Sequence, residues 1–531
     1  MKTGFYFLFI GVFAGLLLTS CQKSELKEYQ PNTEGLMVLG EKLENPYSVA
    51  NMQQAYSNLK SAKADIPDFN IETTHLYVRF LPENIDELSL LENDTTLQLS
   101  EIPFDYEVSQ DGYFYHDLSL PANEPTWLYA AIEKSKALPA VKHELLSELF
   151  LPPTPDELTK SYNDKWIGFF DLLEHEALKI TGNLEGDTDL KTTKGSSWQP
   201  KGKITMWDDV ENDYVPIEFV EVEARRWFQT IKGITDVNGD YVCGGTFKRA
   251  ANYSIVWNRY QFSVNTNNLR TTGDPRVYYL AVGSKRTRYK GPKQIGDWNL
   301  YLQKGSVSLF HGNIFRAAAQ YYYGNISGLQ RPPLNINGRP KMRIIASLEV
   351  IGTFGNTDPS PINTYAEHDP DAGAAINPSW IEIYYTYINS DELYGIVLRE
   401  LAYASLFALN EGEFKNRETP MILSWGLGVE LFLTRKLYPT YSIHYSRYDY
   451  SGIVEDLTDG IKTTSSNFHS YYGEFGYKAY QDSVSGYSIS QIEASLNNAT
   501  TIERWILNLK NSYVNETEDK LDKAFSYWFY Y

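Results

Sequence analysis

The order of apolar and polar positions predicts a chain that mixes strands with helices. Strand-like runs, in which apolar residues tend to alternate with polar ones, cover residues 74–80, 203–207, 217–224, 253–257, 341–350 and 380–386. Helical spacing of apolar residues covers residues 51–60, 145–150, 166–181, 314–323, 391–409, 425–437, 490–496 and 501–510. The pattern therefore indicates an α+β fold class.

Length and shifts in composition indicate several domains. At 531 residues the chain is too long for a single hydrophobic core, and about two to four domains are expected. We expect an N-terminal α+β region at residues 36–195, a small β-sandwich at 201–264, and a C-terminal domain with a mixed sheet and helices at 265–531. The stretch at 182–200 is rich in Gly, Asp, Thr, Lys and Ser, which is the composition of an interdomain linker.

The first 35 residues are predicted to be a targeting segment and a tether. An apolar run at 5–18 is too short to span a membrane comfortably and has the length of a signal-peptide core. The run ends in Leu-Thr-Ser-Cys, so residues 1–20 resemble a bacterial lipoprotein signal and Cys21 would be lipidated. A plain secretory signal with an unrelated cysteine is the alternative. In the lipoprotein reading, residues 21–35 tether the mature chain to a membrane through acyl chains.

The amino-acid composition excludes some classes of binding partner and favours others. A hydrophobic content of 42% and a charged content of 22% describe a folded protein. The formal net charge of −19 argues against nucleic acid as a general partner, because a phosphate backbone requires a basic face. The 41 Tyr and 11 Trp residues suit a surface that binds glycans or peptides, although Tyr also fills ordinary sheets. Cys243 is the only cysteine besides Cys21, so lipidation of Cys21 excludes an internal disulfide.

The stretch 399–403 carries the candidate chemistry. Its sequence, Arg-Glu-Leu-Ala-Tyr, has the frame of the His-Glu-x-x-His helix of zinc peptidases. In such a helix two histidines one turn apart bind zinc and the Glu activates a zinc-bound water. Here Glu400 stands at the position of the Glu, but Arg399 and Tyr403 stand at the two histidine positions.

The region around this motif resembles the zincin metallopeptidases, and most closely those of the gluzincin type. A strand at 380–386 precedes the motif helix as an edge strand would, and a second helix carries Glu430 in Trp-Gly-Leu-Gly-Val-Glu. The segment 201–264 resembles transthyretin-like or carboxypeptidase-regulatory-like modules. The order of signal, N-terminal region, β-sandwich and zincin-like domain resembles surface lipoproteins of Bacteroidetes-type Gram-negative bacteria. This resemblance implies attachment to the outer membrane and exposure at the cell surface.

The resemblance assigns a role to each motif position. Arg399 and Tyr403 would replace the two histidine ligands, Glu430 would stand at the third ligand, and Glu400 would stand at the general base. Zinc requires His, Cys or carboxylate donors, whereas Arg stays protonated in proteins and Tyr has an unperturbed pKa of about 10. We therefore expect no zinc and no other cofactor, and an inactive Glu400.

The same geometry predicts a substitute for the metal. Residues 399 and 403 lie one turn apart on the same helix face. If Glu430 points at that face, Arg399 can pair with it and keep the interior neutral without a metal ion.

Three functions remain open from the sequence. The first is an inactive, peptidase-like lipoprotein that binds a peptide or protein, with the strand at 380–386 pairing with an extended peptide. The second is an active zinc metallopeptidase with ligands elsewhere, and the third is a glycan-binding or scaffold lipoprotein. The candidate ligands for the second function show no mutual metal-ligand spacing and are His311, His368, His444 and His469.

Two further motifs are explained without a metal. His175-Glu176 is the first half of a zinc motif, but Lys179 stands where the second histidine would be, so a surface helix is expected. The Asp-x-Asn-x-Asp pattern at 236–240 imitates the start of a calcium loop, yet the Gly at loop position 6 and the Glu at position 12 are missing. An Asn-Gly hairpin turn accounts for that pattern.

Overall fold

The computed structural model describes most of the chain from residue 34 onward. The described residues are 34–62, 65–121, 125–153, 164–184, 197–266, 285–333, 341–347, 380–384, 389–414, 416–443, 451–459 and 483–529. Cys21 and the predicted signal and tether therefore lie outside the described residues, apart from the last two residues of the tether. The described chain is a mixed α+β protein with several small sheets, as the sequence pattern predicted.

In the N-terminal region, the described residues form five strands and three helices. They are β1 (Val38–Lys42), α1 (Val49–Ala62), β2 (His75–Phe80), α2 (Ile85–Asn93), β3 (Tyr106–Gln110), β4 (Leu128–Glu133), β5 (His143–Leu149) and α3 (Asp164–Ile180). β2 lies between β4 and β5 in an antiparallel sheet, and β1 pairs with β3. The helix predicted at 145–150 is wrong. Periodicity cannot separate a short apolar run in a strand from one in a helix, and pairing with β2 decides the outcome here.

The middle of the chain forms two further sheets. Its strands are β6 (Lys201–Asp208), β7 (Asp213–Pro216), β8 (Glu221–Arg226), β9 (Gln229–Ile234), β10 (Asp240–Val242), β11 (Ala251–Val256), β12 (Phe262–Thr266), β13 (Lys285–Arg286), β14 (Arg288–Gln294) and β15 (Leu300–Leu302). One sheet has the order β10-β6-β15 with β7 beside β6, and the other has the order β14-β11-β8-β9. The two remaining strands, β12 and β13, belong to the sheet of the C-terminal part described below. β14 and β15 join these sheets from beyond residue 264, where a domain boundary was expected.

The segment 235–241 makes a tight turn, but the strand after it changes sheet. The Asp236 carboxylate accepts hydrogen bonds from the backbone N–H groups of Asn238 (2.8 Å) and Asp240 (3.0 Å), and Gly239 adopts a left-handed φ of 77°. These bonds explain the Asp-x-Asn-x-Asp pattern as turn chemistry. β10 then pairs with β6 in the other sheet, so the turn connects two sheets instead of closing a simple hairpin.

The C-terminal part packs helices against a small sheet. It contains α4 (Val307–Tyr323), β16 (Met342–Ser347), β17 (Trp380–Tyr384), α5 (Ser390–Leu409), α6 (Glu411–Phe414), α7 (Thr419–Thr434), α8 (Ile453–Thr458), α9 (Ile489–Ser495), α10 (Ile502–Ser512) and α11 (Leu521–Phe529), with a 3₁₀ turn at Glu518–Lys520 before α11. The sheet order is β13-β12-β16-β17, and β17 runs parallel to β16. Within the described residues β17 is an outer strand of this sheet.

Core packing joins the middle and C-terminal parts. One cluster of buried side chains runs from Ile204 on β6 to Trp528 on α11, whereas the N-terminal region has clusters of its own. Burial of this continuous apolar surface is the main force that fixes the sheets against the helices. Among the helices in the described part of the chain, none is both long and apolar enough to cross a bilayer.

Candidate functional site

The motif helix α5 begins where the sequence placed it. The backbone N–H of Asn389 donates to the Glu392 carboxylate (3.1 Å), as in a capping box. Asp209, in the turn after β6, accepts a hydrogen bond from the backbone N–H of Ser390 (2.9 Å). The acidic first turn suits the positive end of the helix dipole. A residue in the turn after β6 therefore anchors the helix that carries Arg399 and Glu400.

Helix α7 packs closely against α5 because glycines face large side chains. A Cβ atom on Gly426 would lie 2.2 Å from a ring carbon of Tyr403, and one on Gly395 would lie 2.7 Å from the Tyr441 hydroxyl. Both distances are far below van der Waals contact, so only Gly fits. The second helix begins at Thr419 and not at 425 as predicted, since Pro420 stands in its first turn, where its missing N–H is tolerated.

An ion cluster lies between the two helices. The Arg399 guanidinium is 3.2 Å from a Glu430 carboxylate oxygen and 3.7 Å from a Glu400 carboxylate oxygen. The Tyr441 hydroxyl donates a hydrogen bond to Glu430 at 2.5 Å. The side chains of Glu400 and Glu430 are each 3% exposed and that of Arg399 is 18% exposed. The ion pair that the sequence predicted between Arg399 and Glu430 is present.

Burial controls the protonation of the two carboxylates. Burial raises the pKa of Glu400 to about 8, and the nearby Arg399 opposes that rise. Burial also raises the pKa of Glu430, while Arg399 and the Tyr441 hydrogen bond act in the opposite direction. Burial lowers the pKa of Arg399, but the adjacent Glu430 outweighs that effect and holds it above its usual value. Near neutral pH the Arg399 guanidinium is therefore charged, and at most two neighbouring carboxyl groups, those of Glu400 and Glu430, are ionised.

The residues at the motif do not fit zinc. A zinc ion needs a tetrahedral set of His, Cys or carboxylate donors. The Arg399 guanidinium lies 3.2 Å from a carboxylate oxygen of Glu430. It therefore occupies the position beside Glu430 that a metal ion would need. Tyr403 packs its ring against Gly426. In the described part of the chain, no group of three or more His, Cys, Asp or Glu side chains is arranged to hold a metal ion.

The histidines proposed as alternative ligands are not brought to this cluster by any described contact. His311 is fully buried on α4, where its ring meets Tyr113 edge to face with 5.2 Å between centroids. Burial lowers its pKa to about 3, so it stays neutral. His368, His444 and His469 lie outside the described residues. His175 lies on α3, where its Nδ1 is 3.4 Å from an Arg249 nitrogen, and Glu176 pairs with Lys179 at 3.3 Å.

Sequence reasoning missed two buried contacts of carboxylates with tyrosines, of which the first belongs to the Arg399 cluster and the second lies apart from it. Tyr441 reaches Glu430 from the loop after α7. Asp208 is fully buried and accepts hydrogen bonds from Arg316 on α4 (3.0 Å) and from the Tyr438 hydroxyl (2.5 Å). Gly426, which the sequence analysis passed over, is a signal that could have indicated the close packing of α7 on Tyr403. No sequence signal linked the tyrosines to their carboxylates, because these pairs form only in the folded chain.

Comparison of the chain with models of protein families, with curated proteins and with solved structures finds no significant match. The resemblance to zincin peptidases therefore stays a prediction from the motif spacing at 399–403 and from Glu430.

Proposed function

We propose that this chain is a peptidase-like lipoprotein in which an ion pair has replaced the catalytic zinc, and that it binds an extended peptide or protein segment. The observation that carries the proposal is the position of Arg399, 3.2 Å from Glu430 and 3.7 Å from Glu400. A permanent cation at the first ligand position supplies the charge that a metal ion would otherwise supply. Without a metal-bound water, Glu400 has no nucleophile to activate.

The burial of the cluster supports a structural role over a catalytic one. A general base must reach the proton that it removes, but the Glu400 side chain is 3% exposed and its pKa is raised to about 8. Arg399 holds the facing carboxylates together across the α5–α7 interface. In this proposal the motif helices serve as a binding scaffold in place of a catalytic one.

Strand β17 is the element that we assign to peptide binding. It pairs with β16 over residues 380–384, and within the described residues its other edge has no strand beside it. Such an edge presents a row of backbone N–H and C=O groups that can hydrogen-bond with an extended peptide. Ile381 and Ile383 are 1% exposed, so they fix the strand against the core.

Membrane attachment forms the second part of the proposal. The supporting observation is the signal-like run followed by Cys21. Metabolic labelling of the full-length chain with a fatty acid, in the native sequence and in Cys21→Ser, tests this part alone. Label that persists in Cys21→Ser would contradict it.

Peptide binding is tested with arrays of peptides and of glycans, probed with a chain that begins at residue 22 and retains every described residue. We expect binding to peptides and not to glycans. A bound peptide is then resynthesised with single N-methyl groups along its backbone. Strand pairing predicts that methylation at alternate positions abolishes binding, because alternate N–H groups point to the same edge. Equal tolerance at every position, or binding to glycans alone, would refute the proposal.

A further inference from the structure

A cavity lies between the N-terminal region and the middle sheets, far along the chain from the Arg399 cluster. Its volume is about 730 Å³, which falls within the range of roughly 300–1,000 Å³ of pockets for small molecules. One wall comes from α3, β2 and β4, and the other comes from the β8–β9 turn and the loop at 246–249. Pockets for small molecules often form at such junctions between structural units.

The β8–β9 turn fixes the walls of the cavity. Trp227 and Phe228 form its two-residue tip, and Trp227 adopts a left-handed φ of 50°, a conformation for which such turns favour Asn or Gly. Phe228 packs edge to face on Tyr77 with 5.0 Å between ring centroids, and Trp227 meets Tyr47 at 6.1 Å. Aromatic packing therefore holds this turn against the N-terminal region, where it forms one wall of the cavity.

Two guanidinium groups converge on the cavity wall. The Nε atoms of Arg226 and Arg249 each lie 3.8 Å from a carboxylate oxygen of Glu174, which is beyond hydrogen-bonding distance. Their side chains are only 8% and 6% exposed. The Glu174 carboxylate accepts a hydrogen bond from the Tyr47 hydroxyl. Nearby, Lys248 is paired with Asp171 at 2.5 Å.

The rest of the lining combines aromatic and apolar side chains with polar and charged ones, among them His75, Glu133 and Lys136. Phe104, Phe170, Phe228 and Phe247 contribute to it. Apolar walls of this kind bind the body of a ligand, and a few charged groups then orient it. Each guanidinium has five N–H donors in a planar fork that matches a carboxylate, so it can bind a ligand in addition to its protein contacts.

We propose that this cavity binds a small molecule that carries a carboxylate on an aromatic or apolar body. The carboxylate would meet Arg226 and Arg249, where burial strengthens the electrostatic attraction, and the body would pack against the phenylalanines. Glu174 lies between the same guanidiniums and would compete with the ligand. A free organic acid and the C-terminal carboxylate of a short peptide share this chemistry.

The test is isothermal titration calorimetry with the chain that begins at residue 22. The probes are phenylacetate, indole-3-acetate and N-acetyl-phenylalanine, each beside its neutral amide, with the tripeptide Gly-Gly-Phe to separate a peptide terminus from a free acid. We expect at least one acid to bind with a Kd below about 1 mM and its amide to bind about tenfold more weakly. Absence of binding by every acid, or equal binding of acids and amides, would overturn the proposal.

Two variants in the cavity should shift affinity in opposite directions. Arg249→Gln should weaken binding of the acid about tenfold or more, because it removes one fork. Glu174→Gln should tighten it several-fold, since it removes the competing negative charge. Arg435→Gln, which removes a guanidinium paired with Glu455 on another part of the fold, is the matched control and should leave affinity unchanged. A Glu174→Gln variant that folds but binds the acid no more tightly would contradict the assignment, even if Arg249→Gln fails to fold.

Discussion

Replacement of Arg399 by Met should destabilise the fold by about 3 kcal/mol or more. Breaking one side of a buried ion pair costs about 3–5 kcal/mol, because the remaining charge is left uncompensated. Here Glu430 would keep its hydrogen bond from Tyr441 but lose the guanidinium at 3.2 Å. Glu400 adds less, since its pKa of about 8 leaves it mostly protonated near neutral pH.

A double-mutant cycle isolates the pair from the packing of the Arg399 side chain. In Arg399→Met combined with Glu430→Gln no charge is left unpaired, so the double variant should recover at least about 1 kcal/mol relative to the sum of the single changes. The matched control is Lys510→Met, whose partner Asp522 lies at 2.8 Å in a more exposed setting away from the cluster. That change should cost less than about 1 kcal/mol.

The assay is urea unfolding followed by tryptophan fluorescence. The signal sums over the 11 Trp residues of the chain, and Trp425, which lies on α7 and is fully buried, contributes to it. Two results would refute the reasoning. One is an Arg399→Met variant that is as stable as the native chain, and the other is strict additivity of the Arg399 and Glu430 changes.

Three other changes test the packing, capping and titration described above. Gly426→Ala should lower the free energy of unfolding by about 1–3 kcal/mol or more, because the added methyl group overpacks against Tyr403. The control is Gly412→Ala on a short helix, where the nearest atom to the added Cβ lies at 3.7 Å. This change should be neutral or slightly stabilising in the same unfolding assay. Asp209→Ala should lower the free energy of unfolding by about 0.5–2 kcal/mol, since it removes an acceptor at the start of α5; an unchanged midpoint would count against this anchor. Burial raises the pKa of Glu493 from 4.5 to about 7. The folded state is therefore stabilised by the neutral form of Glu493, fully below pH 4.5 and no longer once the pH has risen through about 7. Between these values the free energy of unfolding should fall by at most about 1.4 kcal/mol per pH unit. Glu493→Gln should flatten this part of the stability–pH curve, and a curve of unchanged slope would contradict the assignment.

The motif region was the part of the fold most open to prediction from sequence. Helix α5 begins within one residue of the predicted start, since an acidic first turn and a capping residue are local signals. The contact between Arg399 and Glu430 followed from helix geometry together with the supposed pairing of two helices. Both are short-range or motif-based inferences.

The errors came from features that local sequence does not encode. The run at 145–150 became a strand because β2 offered it a hydrogen-bonding partner. The pairing of residues 288–302 with sheets that begin before residue 264 also leaves no local pattern in the sequence, while the domain bounds themselves stay a prediction. Tyr441 was missed for the same reason, as its link to Glu430 exists only after α5 and α7 have packed.

The central claim is that a guanidinium stands in the place of the metal. Metal content, measured by elemental mass spectrometry on the chain that begins at residue 22 and is purified without chelator, tests it most directly. The account predicts a zinc content far below one ion per native chain, and the same low zinc content in Glu430→Gln. It allows zinc uptake only when Arg399→His is combined with Tyr403→His. About one zinc ion per native chain that is lost in Glu430→Gln would contradict the account.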